Sequence, residues 1–264
     1  MTAVTVPTGR DTGLLTTAGA LTARTVRMFV RTPQLIVVSI VQGAMFLLIF
    51  RYVFGGAIET GGVPYVDFLV PGYVVTSVLF AGMGTAAGVA EDVQAGVVDR
   101  LRSLPVPRVG LVLGRVVADT ALLFGMLAVT VALGFAVGFR IHTDAASALA
   151  AFGLCLVFGF AFDWLFLTIG VVAGNAQTAQ GMGMIAFPLT FASSAYVPVD
   201  TMPGWLQAFA EHQPLTPMCD AVRALTLGAA PGQSTAGLVA ESLLWTVALV
   251  AVFAPLAVAA YNRR

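Results

Sequence analysis

Lysine is missing altogether: every one of the 13 lysine-plus-arginine positions is arginine. A phosphate-binding loop of the Gly-x-x-x-x-Gly-Lys-Ser/Thr kind needs its lysine on the nucleotide phosphates, so this chain carries no such nucleotide site. Schiff-base chemistry on lysine is excluded with it. Charge of either sign is scarce, at 10% of residues and a net charge of zero. No basic patch interleaved with aromatics stands out, and no nucleic-acid partner is expected. The two cysteines, Cys155 and Cys219, make no metal-binding pattern. Cys155 falls inside an apolar span and Cys219 in a loop expected on the outer face, so both read as isolated thiols, buried or on the surface, rather than as a disulfide. His142 and His212 are both expected in loops without neighbouring ligands. No metal and no cofactor is expected.

What the chain has in quantity is apolar sequence. Hydrophobic residues make up 58% of it and the mean hydropathy is +0.92, against roughly 45–50% apolar content in a soluble domain. The runs are continuous rather than alternating, which disfavours a β-barrel and points to an all-α integral membrane protein. Its 264 residues accommodate six helices of about 20 residues across a core of about 30 Å. The spans are expected near Leu35–Phe54, Tyr65–Ala90, Val109–Phe139, Ala146–Ala173, Thr178–Val197 and Leu238–Tyr261. Pro71-Gly72 and Pro188 interrupt the second and fifth. Gly110-x-x-x-Gly114 and Gly134-x-x-x-Gly138 offer close helix approach in the third, and Arg115 and Asp119 are spaced to pair at i, i+4.

Residues 1–13 are polar and rich in threonine and glycine, a disordered tail by composition, and residues 14–264 read as a single transmembrane domain. No signal peptide is expected, since no apolar core follows within the first twenty residues. Residues 14–32 form an amphipathic pattern, with Arg24, Arg27 and Arg31 on one side and Leu14, Ala18, Leu21 and Phe29 on another. That suits an interfacial helix on anionic lipid, ended by Pro33. Arginine placement sets the orientation. With the N-terminus inside, the cytoplasmic segments hold Arg10, Arg24, Arg27, Arg31, Arg100, Arg102, Arg108, Arg115, Arg263 and Arg264. Only Arg51, Arg140 and Arg223 are left for the other side. Both termini are therefore expected in the cytoplasm.

The densest run of charge lies between the second and third spans, Glu91 to Arg108. A charged side chain costs several kcal/mol in hydrocarbon, so the run lies outside the bilayer. Within it Val97, Leu101 and Leu104 recur at i, i+4 and i+7 to give one apolar face, while Asp99, Arg100 and Ser103 face elsewhere. Gly96 loosens the backbone ahead of it, and Pro105 and Pro107 stop it. This is a short amphipathic helix, or otherwise a solvated loop.

Glu91-x-x-x-x-Gly96-x-x-x-Arg100-Leu101-Arg102-x-x-Pro105-x-x-Arg108, running into Gly114-Arg115, resembles the cytoplasmic coupling segment of ATP-binding-cassette transporter permeases. The likeness is to the type-2 membrane family, the daunorubicin-exporter-like subunits. A second stretch carries the same resemblance. It holds Phe187-Pro188 with Phe191-Ala192-Ser193, then Pro198 to Pro203 with Trp205-Leu206, then Pro214-Leu215-Thr216 to Ala221-Val222-Arg223. Gln213 stands where the family usually has asparagine, and Ser194 where glycine or asparagine is common. By residue type alone this stretch is two short external helices. Pro203 opens the first, Thr216 caps the second with Pro217 in its first position, and Gly228 closes it. Met218, Val222 and Leu225 share a face, and Asp220 and Arg223 can pair.

The resemblance implies a six-helix permease subunit, itself not an enzyme, in a bacterial plasma membrane. It implies pairing with a second permease copy or a paralogue and with two copies of a separate ATPase. The coupling residues would be Glu91, Gly96, Asp99, Arg100, Leu101, Arg102, Pro105 and Arg108, and the passenger a hydrophobic drug or lipid. Asp163, alone inside the fourth span, is either a carboxyl turned to a neighbouring helix or a contact on the substrate pathway. A rival reading makes Asp119 and Asp163 proton carriers of an ion-coupled secondary transporter. That class predicts inverted internal repeats, which the sequence does not display.

Overall fold

The computed structural model describes residues 33–58, 60, 62–96 and 108–263. The expectations for the tail 1–13, the interfacial helix 14–32 and residues 97–107 lie outside the described residues. Among the described residues all regular structure is helical. Helix α1 (Pro33–Ile49) passes into one π turn, Phe50–Phe54, so that helical backbone covers the expected first span. Helix α2 (Tyr65–Gln94) has 30 residues. At 1.5 Å per residue it is about 45 Å long against a hydrocarbon core of about 30 Å, so its ends stand beyond the apolar slab. It runs on through Pro71, whose missing N–H leaves the Asp67 carbonyl without its helical donor.

Helices α3 (Arg108–Ala136) and α4 (Ala145–Ala173) follow, close to the third and fourth expected spans. Asp144 caps α4, accepting from the Ala146 N–H at 3.2 Å and the Ser147 hydroxyl at 2.6 Å. The Ser147 bond chiefly holds its carboxyl below the usual carboxylate range. Helix α3 stops short of Phe139 because Gly138 sits at φ +108. Gly138 therefore ends the helix instead of extending a glycine stripe with Gly134, while Gly134 does lie against Val70 of α2.

The fifth expected span is two helices, α5 (Ala176–Gly183) and α6 (Ala186–Phe191). The break falls at Met184–Ile185, a turn ahead of Pro188. Proline cannot donate to the Met184 carbonyl, and the Phe187 N–H takes it at 3.0 Å in a tighter turn. A 3-10 turn at Val199–Thr201 then leads to α7 (Gly204–Glu211) and α8 (Leu215–Leu227). Pro203 stands just before α7, and Gly228, at φ +99, ends α8. Thr216 does not cap α8. The helix begins one residue earlier, at Leu215, and Thr216 Oγ1 accepts from the Ser194 N–H instead, at 3.3 Å. Cys219 is likewise no loop residue but is wholly buried within α8. The last helix, α9 (Thr235–Arg263), covers the sixth expected span.

Among the described residues four helical stretches are long and apolar enough to cross a membrane: α2, α3 from Arg115, α4 and α9. The centre of the bundle is α2, packed chiefly on α4 and also on α3, α5 and α8. Glycines set the spacing. A Cβ on Gly82 would overlap the Phe166 ring, and one on Gly159 would overlap Leu123, so α4 closes on both α2 and α3. Leu69, Leu79, Leu127, Phe158 and Phe166 fill the space between them.

Candidate functional site

The end of the bundle nearest residues 97–107 is built around one arginine. Arg115, on α3, donates from Nη1 to Asp92 Oδ2 at 2.8 Å and from Nε to Asp119 Oδ2 at 2.9 Å. The Asp119 pair is the one its i, i+4 spacing anticipates. Asp92, on the last turn of α2, is a partner that spacing does not reveal. The guanidinium lies across α2 where Gly88 leaves room, since a Cβ there would sit 2.7 Å from Nη2. Asp92 is 42% exposed and Asp119 only 8% in their side chains, so the ion-pair chain runs from the rim inward.

Two turns deeper, Thr85 of α2 donates to Asp163 Oδ1 of α4 at 3.1 Å. Asp163 is therefore turned to neighbouring helices, within electrostatic reach of Asp119 and Arg115. Its second oxygen, Oδ2, is buried without a hydrogen-bond partner among the described residues. Among the described residues no cluster of histidine, cysteine, aspartate and glutamate could hold a metal ion.

Of the coupling residues named from the sequence, Glu91 is exposed on the last turn of α2. Gly96 ends that helix: it takes φ +66, with the Ala95 N–H on Glu91 O and its own on Val93 O. Arg108 is the first residue of α3. Asp99, Arg100, Leu101, Arg102 and Pro105 lie outside the described residues.

The opposite end is held by Arg223 of α8, which pairs with Asp220 at 3.0 Å as its spacing anticipates. Its guanidinium also donates to the Ala195 carbonyl at 2.9 Å and to the Ser194 hydroxyl at 3.2 Å. Asp67, in the first turn of α2, accepts from the Arg140 N–H at 3.0 Å and lies 3.3 Å from His142 Nε2. His142 thus does have an acidic neighbour. Between the two ends an aromatic cluster joins α1 to α2 and the turn after α6. Phe46 stacks on Phe50 and Tyr73, and Tyr196 meets Phe46, Phe50 and Phe191 at 5.0–5.6 Å between centroids. Tyr196 is fixed there by a 2.7 Å bond with Thr76. Its contacts link residues far apart in the chain, so no local pattern shows them. A separate apolar cavity beside Pro71, lined by Val74, Val131, Phe152, Cys155 and Val222, holds about 60 Å³. That is well below the roughly 300 Å³ of a drug-sized site.

Among the described residues the chain is an all-helical bundle with a charged pair of helix ends on one side and the short helices α7 and α8 after the break at Met184–Ile185. The ABC-2 type transporter family model matches residues 16–227. The chain is 35% identical over 242 residues to the daunorubicin resistance ABC transporter permease protein DrrB1 of Streptomyces coeruleorubidus, covering 91% of this chain and 84% of that protein. It is 24% identical over 226 residues to the probable doxorubicin resistance ABC transporter permease protein DrrC of Mycobacterium tuberculosis, covering 83% of this chain and 79% of that protein. The chain belongs to the ABC-2 type transporter family. It is a multi-pass membrane protein, the permease subunit of an ATP-binding-cassette exporter, and transport rather than catalysis is its part in that system. The ion-coupled alternative has no support in these likenesses.

Proposed function

We propose that this permease moves a hydrophobic drug or lipid-like molecule out of a bacterial cell, using ATP hydrolysed by a separate subunit docked on residues 91–108. The observation that carries the reading is the α2–α3 stem: two helices longer than the hydrocarbon core of a bilayer, ending on either side of the motif that resembles a coupling segment. In that segment Val97, Leu101 and Leu104 would seat in a groove of the ATPase. Glu91, Asp99, Arg100 and Arg102 would fix its orientation, with Gly96, Pro105 and Arg108 setting where it starts and stops. The complex pairs two permease chains, identical or paralogous, with two ATPase copies.

Residues 14–264 act as one permease domain with six spans, α1 and the α5–α6 pair adding to the four long ones, behind a disordered 1–13. Both termini and the stem face the cytoplasm, and the 14–32 helix rests on lipid. Two observations favour a hydrophobic passenger. Relatives are named for resistance to daunorubicin and doxorubicin, and the aromatic cluster ends in the exposed rings of Phe54 and Phe191. The cavity beside Pro71 is too small for such a molecule.

Two measurements test this reading. An ATP-binding-cassette subunit should co-purify with the chain from its native membrane, and the purified chain alone should hydrolyse no ATP. Single cysteines at Gln207 and Ser103 should label from opposite sides with an impermeant thiol reagent. ATP-independent transport by the chain alone would make it an ion-coupled carrier, and labelling of both cysteines from one side would overturn the topology.

A further inference from the structure

We infer that Arg115 is a positioning residue that staples α2 to α3, so that the two helices flanking residues 97–107 move as one lever. The inference rests on the docking reading above for what moves the lever, but the staple itself stands on geometry. Asp92 is placed on the last turn of α2, four residues before the left-handed Gly96 at which the helix ends. Arg115 holds it at 2.8 Å while its Nε holds Asp119, on the same face of α3, at 2.9 Å. The planar guanidinium offers donors to both carboxylates at once, which a lysine's single ammonium on a flexible stem does not do with the same fixed spacing.

The staple is seated as well as charged. Gly88 leaves the slot in which Nη2 rests against α2, so the guanidinium is gripped between the helices instead of floating at their rim. The carboxyls make the arrangement one-sided. Asp92 and Asp119 both bond this one guanidinium, and Asp163 lies within its electrostatic reach. Pulling α2 away from α3 would strip Asp92 from Arg115 and take the Thr85 hydroxyl from the buried Asp163, which the partly buried site resists. A push delivered at the tip of the hairpin therefore displaces both helices together. Thr85, bonded to Asp163, carries the displacement on to α4.

The test uses the full-length permease in lipid nanodiscs, alone and with its co-purified ATPase. Nitroxide labels go on Gln94→Cys and Val117→Cys, both exposed positions, while the native Cys155 and Cys219 are buried. Pulsed electron–electron resonance should give one narrow distance in the wild-type background, unchanged by a non-hydrolysable ATP analogue. Gly88→Ala, which keeps every charge but fills the slot, should broaden that distance, since the end of the Arg115 side chain must give way to the new Cβ. So should the neutral quadruple variant Asp92→Asn/Arg115→Met/Asp119→Asn/Asp163→Asn, which strands no buried charge and so remains foldable.

Both variants should still bind the ATPase and hydrolyse ATP, yet lose efflux of doxorubicin, the probe used, per ATP consumed. A defect that merely unfolded the stem would lose ATPase binding as well. If both variants keep the wild-type distance and efflux per ATP, the staple is overturned. If the wild type binds no ATPase, the docking reading fails, and the distances in the free permease still decide the staple.

Discussion

Arg223 lies flat on Phe68: its guanidinium carbon is 3.6 Å from the ring centroid while its Nε donates to the Phe68 backbone carbonyl at 3.1 Å. One side chain of α8 thus grips both the ring and the main chain of α2, across 155 positions of sequence. Its remaining donors hold Asp220 and the turn after α6. Lysine keeps the charge but not the plane or the fork. Arg223→Lys should lower stability by about 1.5–3 kcal/mol, the worth of a hydrogen bond to a charged group. The thermal midpoint of the detergent-purified protein checks this, and an unchanged midpoint would mean that α7 and α8 are held by their apolar faces alone.

Two glycines of α2 should behave in opposite ways. A Cβ on Gly72 would overlap the Ala195 carbonyl oxygen, which is backbone and cannot rotate away, whereas a Cβ on Gly84 meets nothing within 4 Å. Gly72→Ala should force apart α2 and the turn that Arg223 holds, and reduce the yield of folded protein. Gly84→Ala should stabilise the isolated chain by roughly 0.5–1 kcal/mol, the helix-interior penalty of glycine. Thermal melts of the two variants compare them directly. Loss of transport in a stable Gly84→Ala protein would show that a second chain packs at that position.

Much of this fold is legible in the chain because hydrophobic run length reports bilayer thickness. The spans near Leu35–Phe54 and Ala146–Ala173 match helical stretches to within a few residues. Pairs whose spacing is helical are legible too, as Arg115 with Asp119 and Asp220 with Arg223 show. What the sequence hides is the partner that each arginine finds on another helix. Asp92 reaches Arg115 and Phe68 reaches Arg223 only once helices distant in sequence have packed. Thr216 misleads for a related reason: a hydroxyl one residue before a proline has the look of a cap, but here it is claimed by the Ser194 N–H. The break in the fifth span shifts from Pro188 to Met184 because a proline frees the carbonyl four residues earlier.

Asp163 should matter as an acceptor. Thr85 donates to its Oδ1 at 3.1 Å inside the bundle. Asp163→Asn keeps an oxygen there and removes a like charge from beside Asp119, so protein yield and transport should both be largely retained. Asp163→Leu leaves Thr85 without this partner and should destabilise by about 1–3 kcal/mol, the penalty of an unsatisfied buried donor. Efflux assays with the two variants separate the cases. Normal efflux with Asp163→Leu would make the carboxyl a tolerated oddity in α4, and a loss with Asp163→Asn alone would make its charge, not its polarity, the working property.

The docking segment gives the sharpest separation between insertion and coupling. Val97, Leu101 and Leu104 share the apolar face of the expected amphipathic helix, and Leu101 is its centre. Burying such a leucine in a partner's groove contributes about 1.5–3 kcal/mol. Its loss should weaken docking by about tenfold to a hundredfold, at roughly 1.4 kcal/mol per decade. An aspartate adds the desolvation of a charge at the same point, so Leu101→Asp should abolish both co-purification of the ATPase and transport. The permease itself should still reach the membrane in normal amount, since the hydrophobic spans that insert it are untouched. Arg100→Glu should weaken docking less, because a charge at the rim of a contact is screened by water and salt. Comparing ATPase recovered per permease for the wild type and the two variants checks the ranking. Wild-type recovery with Leu101→Asp would mean that the ATPase binds somewhere other than the segment between α2 and α3.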